Sequence, residues 1–275
     1  MRGKVSILAV TLLVTGHANV AAAQTAAAPR SAEPQITVGD SEGQEIVVEG
    51  ERVPVIKTPT KIVLAGGAAM IDNRIALDKA QIFVHCLGDI DPGVLREILD
   101  GPPNKASTQY AQGLLVSKHI GCHLGYSPLS FDDVKSRGDS MFDRGALLEY
   151  ALERYAPDLL LTAADTHDPA VRRRFNEREA PRNRWRLPVD YRHFEIALCM
   201  VREAPELSVR LVKSPVNSEL HRRLQAAIIG IGRICLGSPK KVVVDATAFR
   251  IWIGDAVWRW AEAARDVDSL IPLPD

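Results

Sequence analysis

The chain has 275 residues, 46% of them hydrophobic but only 5% aromatic, and its 34 basic side chains balance 34 acidic ones. That composition excludes a disordered chain and a collagen. Lacking a basic excess, the chain is not built to track nucleic acid over its whole surface, and no nucleic-acid partner is expected.

The first residues read as a secretory signal. Arg2 and Lys4 give a basic start, Val5 to Val14 an apolar run of ten residues, and Ala21, Ala22 and Ala23 the small residues of a cleavage site before Gln24. At about 1.5 Å per residue such a run is too short for a bilayer core of about 30 Å, so a signal peptide over 1–23 that is cleaved, not an anchor, is expected. No Cys near Gln24 offers a lipid attachment point, and no later stretch reaches the roughly 18 unbroken apolar residues of a span. The mature chain is therefore expected to be periplasmic or secreted, with no membrane span after cleavage. From Gln24 to about Gly67, residues Pro29, Pro34, Pro54 and Pro59 interrupt any helix, which predicts an extended, poorly ordered leader over 24–67. Within it, Glu45-Ile-Val-Val-Glu-Gly-Glu-Arg52 resembles the short segment ahead of the plug of TonB-dependent outer-membrane receptors, which also occurs near the start of small secreted proteins of sphingomonad-like bacteria. The remaining chain lacks the alternating strands of a barrel, so a receptor is excluded while a docking role for this segment stays open. From its residues alone, the segment reads as a short strand or a linker.

Further along, the sequence repeats itself. Cys86 and Cys122 are 36 positions apart, as are Cys199 and Cys235, and laying the second pair on the first also superposes Pro92 on Pro205, Pro102 on Pro215, Asn104 on Asn217 and Gln112 on Gln225. Apolar positions coincide too: Val94 with Leu207, Ile98 with Leu211, Leu99 with Val212, Leu115 with Ile228 and Val116 with Ile229. Short helices explain these matches. Asp91-Pro92 supplies an N-cap and a first-turn proline, Pro205 opens the equivalent helix, and Pro102 and Pro215 end both helices. Asn104 and Asn217 are placed to cap a third helix, which in the second copy carries Leu220, Leu224, Ala227, Ile228, Ile231 and Cys235 on one face. A closing helix follows in each copy, from about Asp139 to Tyr155 and from about Asp245 to Arg265. The expected fold is all-α: two tandem disulfide-stapled helical-bundle repeats, 68–165 and 189–275, joined by an Arg-rich connector, 166–188.

In an up-down-up arrangement the first and third helices run parallel and bring their ends together. The repeat thereby selects Cys86 with Cys122 and Cys199 with Cys235 from the three possible connectivities. A metal site is the alternative for the first pair, because His85, His119 and His123 stand near its cysteines and imidazole with thiolate suits zinc. The second copy has Leu198 and Leu236 in place of His85 and His123, which favours the disulfide; no metal or cofactor is assigned.

The sequence holds no Gly-x-Ser-x-Gly elbow, no Gly-rich phosphate loop, no His-Glu-x-x-His and no Cys-x-x-Cys. Ser238-Pro-Lys-Lys241 has the Ser-x-x-Lys spacing, but no Lys-Thr-Gly follows and the segment reads as a loop before the final helix. Asp165-Thr-His-Asp168 reads as a turn with helix-capping carboxylates in preference to a metal or proton-transfer site. No catalytic residue is assigned. In the connector, Arg172, Arg173, Arg174, Arg178, Arg182, Arg184 and Arg186 are interleaved with Phe175 and Trp185. Guanidinium groups among aromatics suit an anionic envelope component or an acidic protein. Glu177 and Glu179 intervene, however, and a helix with Arg on its wet side is the plainer reading.

On the last helix, Phe249, Trp252, Ile253, Ala256 and Trp260 project to one face while Ile251 and Trp258 lie roughly opposite. Either the helix is sandwiched between the copies, or Ile251 and Trp258 form an exposed partner or dimer interface.

The second copy, with Ala197-Leu-Cys-Met-Val201, Pro205, Leu211-Val212, Ser214-Pro215, Leu224, Cys235 and Arg250 ahead of an apolar helix, resembles a group of uncharacterised secreted proteins of sphingomonads and relatives. These share a Cys-to-Cys helical repeat ending in an Arg-led helix. The first copy departs from the pattern between Cys122 and Arg144, where a longer loop is inserted. The resemblance implies the fold and the compartment and brings no catalytic residue. The expected function is a non-enzymatic binding or structural envelope protein whose partner is an envelope protein or an anionic envelope component. The alternative is an enzyme of unfamiliar type with its site in the crevice between the repeats.

Overall fold

A computed structural model describes residues 46–48, 51–53, 61–64, 68–126, 133–237 and 239–273. The expected signal peptide, and the leader as far as Glu45, lie outside the described residues. Strands β1 (Ile46–Val48) and β2 (Glu51–Val53) pair antiparallel, with Val48 opposite Glu51. Strand β3 (Lys61–Leu64) then pairs in parallel with a strand far along the chain, β4 (Lys241–Val244), in the register Ile62 to Val242 and Leu64 to Val244. The short strands agree with the strand reading of Glu45–Arg52, while β4 corrects the expectation of a plain loop before the final helix. Four-residue runs are too short to show alternation, and neither reveals its distant partner locally.

The other regular elements among the described residues are helices. In the first half, α1 (Ala68–Leu87), α2 (Pro92–Leu99) and α3 (Ala106–Lys118) are followed by a 3-10 turn (Ile120–Cys122), the short α4 (Val134–Arg137) and α5 (Met141–Tyr155). Two linking helices, α6 (Ala163–His167) and α7 (Pro169–Asn183), lead to α8 (Pro188–Glu203), α9 (Pro205–Lys213) and α10 (Glu219–Ile231). A second 3-10 turn (Gly232–Leu236), β4 and α11 (Ala246–Arg265) complete the chain.

Local chemistry sets many of these boundaries. Asp91 caps α2 by accepting from the Val94 amide at 2.9 Å, and Pro92 and Pro205 occupy first-turn positions as expected. The expected Asn caps are a correction. Ser218 caps α10 through the His221 amide at 3.0 Å, the third helix of the first half has no side-chain cap, and Asn217 instead takes a left-handed φ of 61° one residue before the cap. Asn is one of the few non-Gly residues that tolerates that conformation, which accounts for its place in the turn. Thr162 and Asp165 form a capping box on α6, and Asp168 accepts from the Ala170 and Val171 amides to open α7.

Both disulfides close in parallel fashion, Cys86 with Cys122 and Cys199 with Cys235. Loops of this length stabilise by roughly 4 kcal/mol each in the chain-entropy account. The halves do not have separate cores, because Phe83, Leu95 and Leu147 belong to the same buried cluster as Leu211, Ile228 and Val257. At its centre lies α11, buried on both faces: Ile253 and Trp260 on one side, Ile251 and Trp258 on the other, with Trp258 at 0% exposure. The reading of Ile251 and Trp258 as an exposed interface is therefore overturned. An exposed surface helix buries one stripe, whereas one inserted between two layers buries its whole circumference.

Candidate functional site

The connector arginines divide into two sets. Arg174, Arg178, Arg182 and Arg186 recur every fourth residue; the first three share one face of α7, Arg186 lies in the turn beyond its end, and all four reach α11. Arg174 donates to the Ala263 carbonyl at 3.0 Å and Arg178 to the Glu262 carbonyl at 2.8 Å, so two cations cap the end of α11. Arg182 bridges Glu179 and Glu262, and Arg186 pairs with Asp255 at 2.8 Å while lying over the Phe194 ring. Only Arg172, Arg173 and Arg184 face outward. Spacing of four was the signal in the sequence that distinguished the two sets.

Inside, these arginines join a closed electrostatic cluster. Arg259, 2% exposed, donates to the Leu99 carbonyl at 2.6 Å and lies near Glu262, Glu179 and Asp255. Burial pushes the Asp255 carboxyl upward, but the guanidiniums of Arg186, Arg259 and Arg144 outweigh it and hold its pKa below the ordinary range. Burial also lowers Arg259, and the carboxylates of Glu262, Glu179 and Asp255 more than reverse that. For Glu262 burial wins, raising its pKa against the pull of Arg259 and Arg182. Among the described residues these buried side chains pair with one another where the two halves meet.

A second pattern involves Arg144 and Arg250, near the starts of α5 and α11. Arg144 forks onto the Ile98 and Leu99 carbonyls at the end of α2, the second bond at 2.8 Å, and Arg250 forks onto the Leu211 and Val212 carbonyls at the end of α9, both at 2.6 Å. These are matched positions in the sequence repeat. Where α5 and α11 meet, a Cβ on Gly145 would fall 2.9 Å from Ile251, and a Cβ on Gly254 would fall 3.2 Å from Leu148. Each glycine therefore accommodates a large residue that is its own counterpart on the opposite helix.

The histidines around the first disulfide do not converge on it. His123 is buried, its Nε2 lies 3.0 Å from Asp143, and its Nδ1 accepts from the Gly125 amide. His85 and His119 are exposed. Among the described residues no group of His, Cys, Asp and Glu has the arrangement to hold a metal ion.

Beside His119 lies a groove of about 320 Å³ between the end of α1, α2 and α3. Its floor is apolar, made by Leu87, Ile90, Val94, Ala111, Leu114 and Leu115. Asp89, Asp91 and Glu97, from the α1–α2 turn and α2, and Lys118 and His119, at the end of α3, also line it. At the matched positions of the second half Met200, Leu207, Leu224, Ala227 and Ile228 are all buried, whereas Leu87, Val94 and Leu114 are half-buried. Two differences in sequence explain it. Ala111 stands where the second half has Leu224, and His119 stands where Gly232 lets Met200 pack down, a Cβ on Gly232 falling only 2.7 Å from the Met200 side chain. Sequence reasoning missed this groove, although the pairing of Ala111 with Leu224 was legible in the repeat.

The fold and this groove define an all-helical chain stapled by two disulfides, which offers a recessed apolar surface on one half. No protein family, curated protein or solved structure matches the chain. Among the described residues no helix is long and apolar enough to cross a membrane.

Proposed function

We propose that this is a non-enzymatic binding protein of the bacterial periplasm, exported by a cleaved signal over residues 1–23 and built by internal duplication. It holds apolar side chains of a partner polypeptide in the groove between α1, α2 and α3. The single observation that carries this reading is that groove: an apolar lining with carboxylates from the α1–α2 turn and α2 and a lysine from α3 suits an amphipathic chain segment. Disulfides persist in oxidising compartments, which supports export, as does the resemblance to secreted sphingomonad proteins. Duplication is supported by the matched forks of Arg144 and Arg250 and by the self-matched contacts of Gly145 with Ile251 and Leu148 with Gly254. Self-complementary contacts of this kind are what a two-fold relation between like units produces. On this reading the first copy lost core volume at Ala111 and gained a binding surface.

Ala111→Leu restores the side chain of the second half and fills the groove. The expected result is a protein at least as heat-stable as the parent that no longer retains the envelope protein cross-linked to the tagged parent. If Ala111→Leu captures the same partner with undiminished yield, the groove is not the binding surface.

A further inference from the structure

The first long helix, α1, carries apolar side chains on two faces, and the fold covers one of them. At about 100° per residue, Leu77, Ala80, Phe83 and Val84 point together into the core, and all four are buried. Ile71, Ile75 and Ile82 gather on the opposite side within an arc of about 40°, and they are 59%, 43% and 50% exposed. Their spacings of four and seven residues are those of a seam between two packed helices. The shared plan of the two halves does not demand them, because Arg184, Pro188 and Glu195 stand at the matched positions of the second half. Single apolar side chains on a surface are ordinary, but three isoleucines aligned on one stripe make a surface that packs against a partner.

Charge decides which partner. Asp72 and Lys79 flank the stripe on one side, and Arg74 and Asp78 border it on the other, so each side carries one carboxylate and one cation. None of the four has an ion-pair partner among the described residues. A partner of a single charge sign would set half of these groups against a like charge. A second copy of the same helix does not. Laid antiparallel about a two-fold axis between Ile75 and Asp78, α1 meets itself with Ile71 against the second copy's Ile82 and the two Ile75 side chains near the axis. The same operation sets Asp72 against the second copy's Lys79 and Arg74 against the second copy's Asp78, and symmetry repeats both pairs. These partners lie at the same height to within about 3 Å along the helix axis. Parallel pairing would instead oppose each charge to its own kind.

From this self-complementarity we infer that the solvent face of α1 is the seam of an antiparallel two-fold dimer of this chain, closed by Ile71, Ile75 and Ile82 and bordered by the reciprocal pairs of Asp72 with Lys79 and Arg74 with Asp78. The seam is separate from the groove and does not depend on its reading.

Sedimentation equilibrium of the purified exported protein over a range of concentrations tests this. The parent should pass from monomer to dimer as concentration rises. Ile75→Gln with Ile82→Gln keeps good helix formers at exposed positions and should raise the dissociation constant roughly a hundredfold or more. Asp72→Lys alone and Lys79→Asp alone each create two like-charge pairs across the seam and should each weaken self-association roughly tenfold or more. An equimolar mixture of these two single variants should form a heterodimer as tight as the parent dimer, because each chain then meets the opposite charge. Circular dichroism and the melting temperature of the dilute monomers verify that the variants are folded. A mass that stays monomeric as concentration rises overturns the inference. So does a dimer that the double Gln variant leaves intact, or a mixture of the two charge variants that associates no better than either alone.

Discussion

Replacing Arg250 by Met tests the principle by which each closing helix is tied to its half. Arg250 is 3% exposed and makes three close polar contacts: Leu211 and Val212 carbonyls at 2.6 Å and the Glu149 carboxylate at 2.6 Å. The Leu211 carbonyl keeps Ser214 at 2.7 Å and Glu149 keeps Gln81 at 2.9 Å, so the loss falls on the Val212 carbonyl and on half of the carboxylate's pairing. Two charge-assisted hydrogen bonds at roughly 1.5–3 kcal/mol each give a cost of about 3–5 kcal/mol, in the range for breaking a buried ion pair from one side. In a chain of this size that is a fall in Tm of about 10–15 °C. Arg250→Lys keeps the charge but not the fork, since an ammonium cannot present two parallel N–H groups to adjacent carbonyls, and should recover less than half of the loss. Arg144→Met should cost a similar amount, because Leu99 keeps Arg259 while the Ile98 and Gly101 carbonyls lose their donor. Guanidinium unfolding followed by far-ultraviolet circular dichroism, with disulfides intact, reads all three variants. A loss below about 1 kcal/mol for Arg250→Met would refute the fork as a source of stability.

His221 should make the protein sensitive to mild acid. Burial, with Arg250 and Arg222 adding to it, lowers its pKa from 6.5 to about 4, so the unfolded chain binds the proton more tightly than the folded one. That contribution is complete above 6.5 and drains as pH falls toward about 4, amounting to about 2 kcal/mol between pH 7 and 5. Equilibrium unfolding of His221→Gln at both pH values should show that share of the pH dependence removed, and a variant with the parent's full pH dependence contradicts the assignment. Trp258→Ala should cost about 3–5 kcal/mol, because it empties a fully buried indole site and removes one of the donors to the Glu262 carboxylate. An unchanged melting temperature together with lost self-association would instead restore the interface reading.

Much of the fold was written locally. Pro92, Pro205 and Asp91 set helix starts by rules that act over a single turn, and the cysteine spacing with its matched prolines selected the two disulfides before any packing was known. The Asp165 and Asp168 caps followed in the same way. Other features depend on which distant segment arrives. Nothing within Lys61–Leu64 specifies Lys241–Val244 as its partner, and a parallel pair has no turn to announce it. Trp258 and Ile251 carry the same residue types whether a helix faces solvent, a partner or a second layer; the layer exists only once both halves have folded around α11. The connector arginines show both levels in one stretch. Their spacing of four, visible in the sequence, puts Arg174, Arg178 and Arg182 on a common face of α7, but only the carbonyls and carboxylates of α11 turn that face from a ligand site into a structural seam. Helix periodicity is a property of the chain, whereas the partner that neutralises a charged face is supplied by tertiary contact.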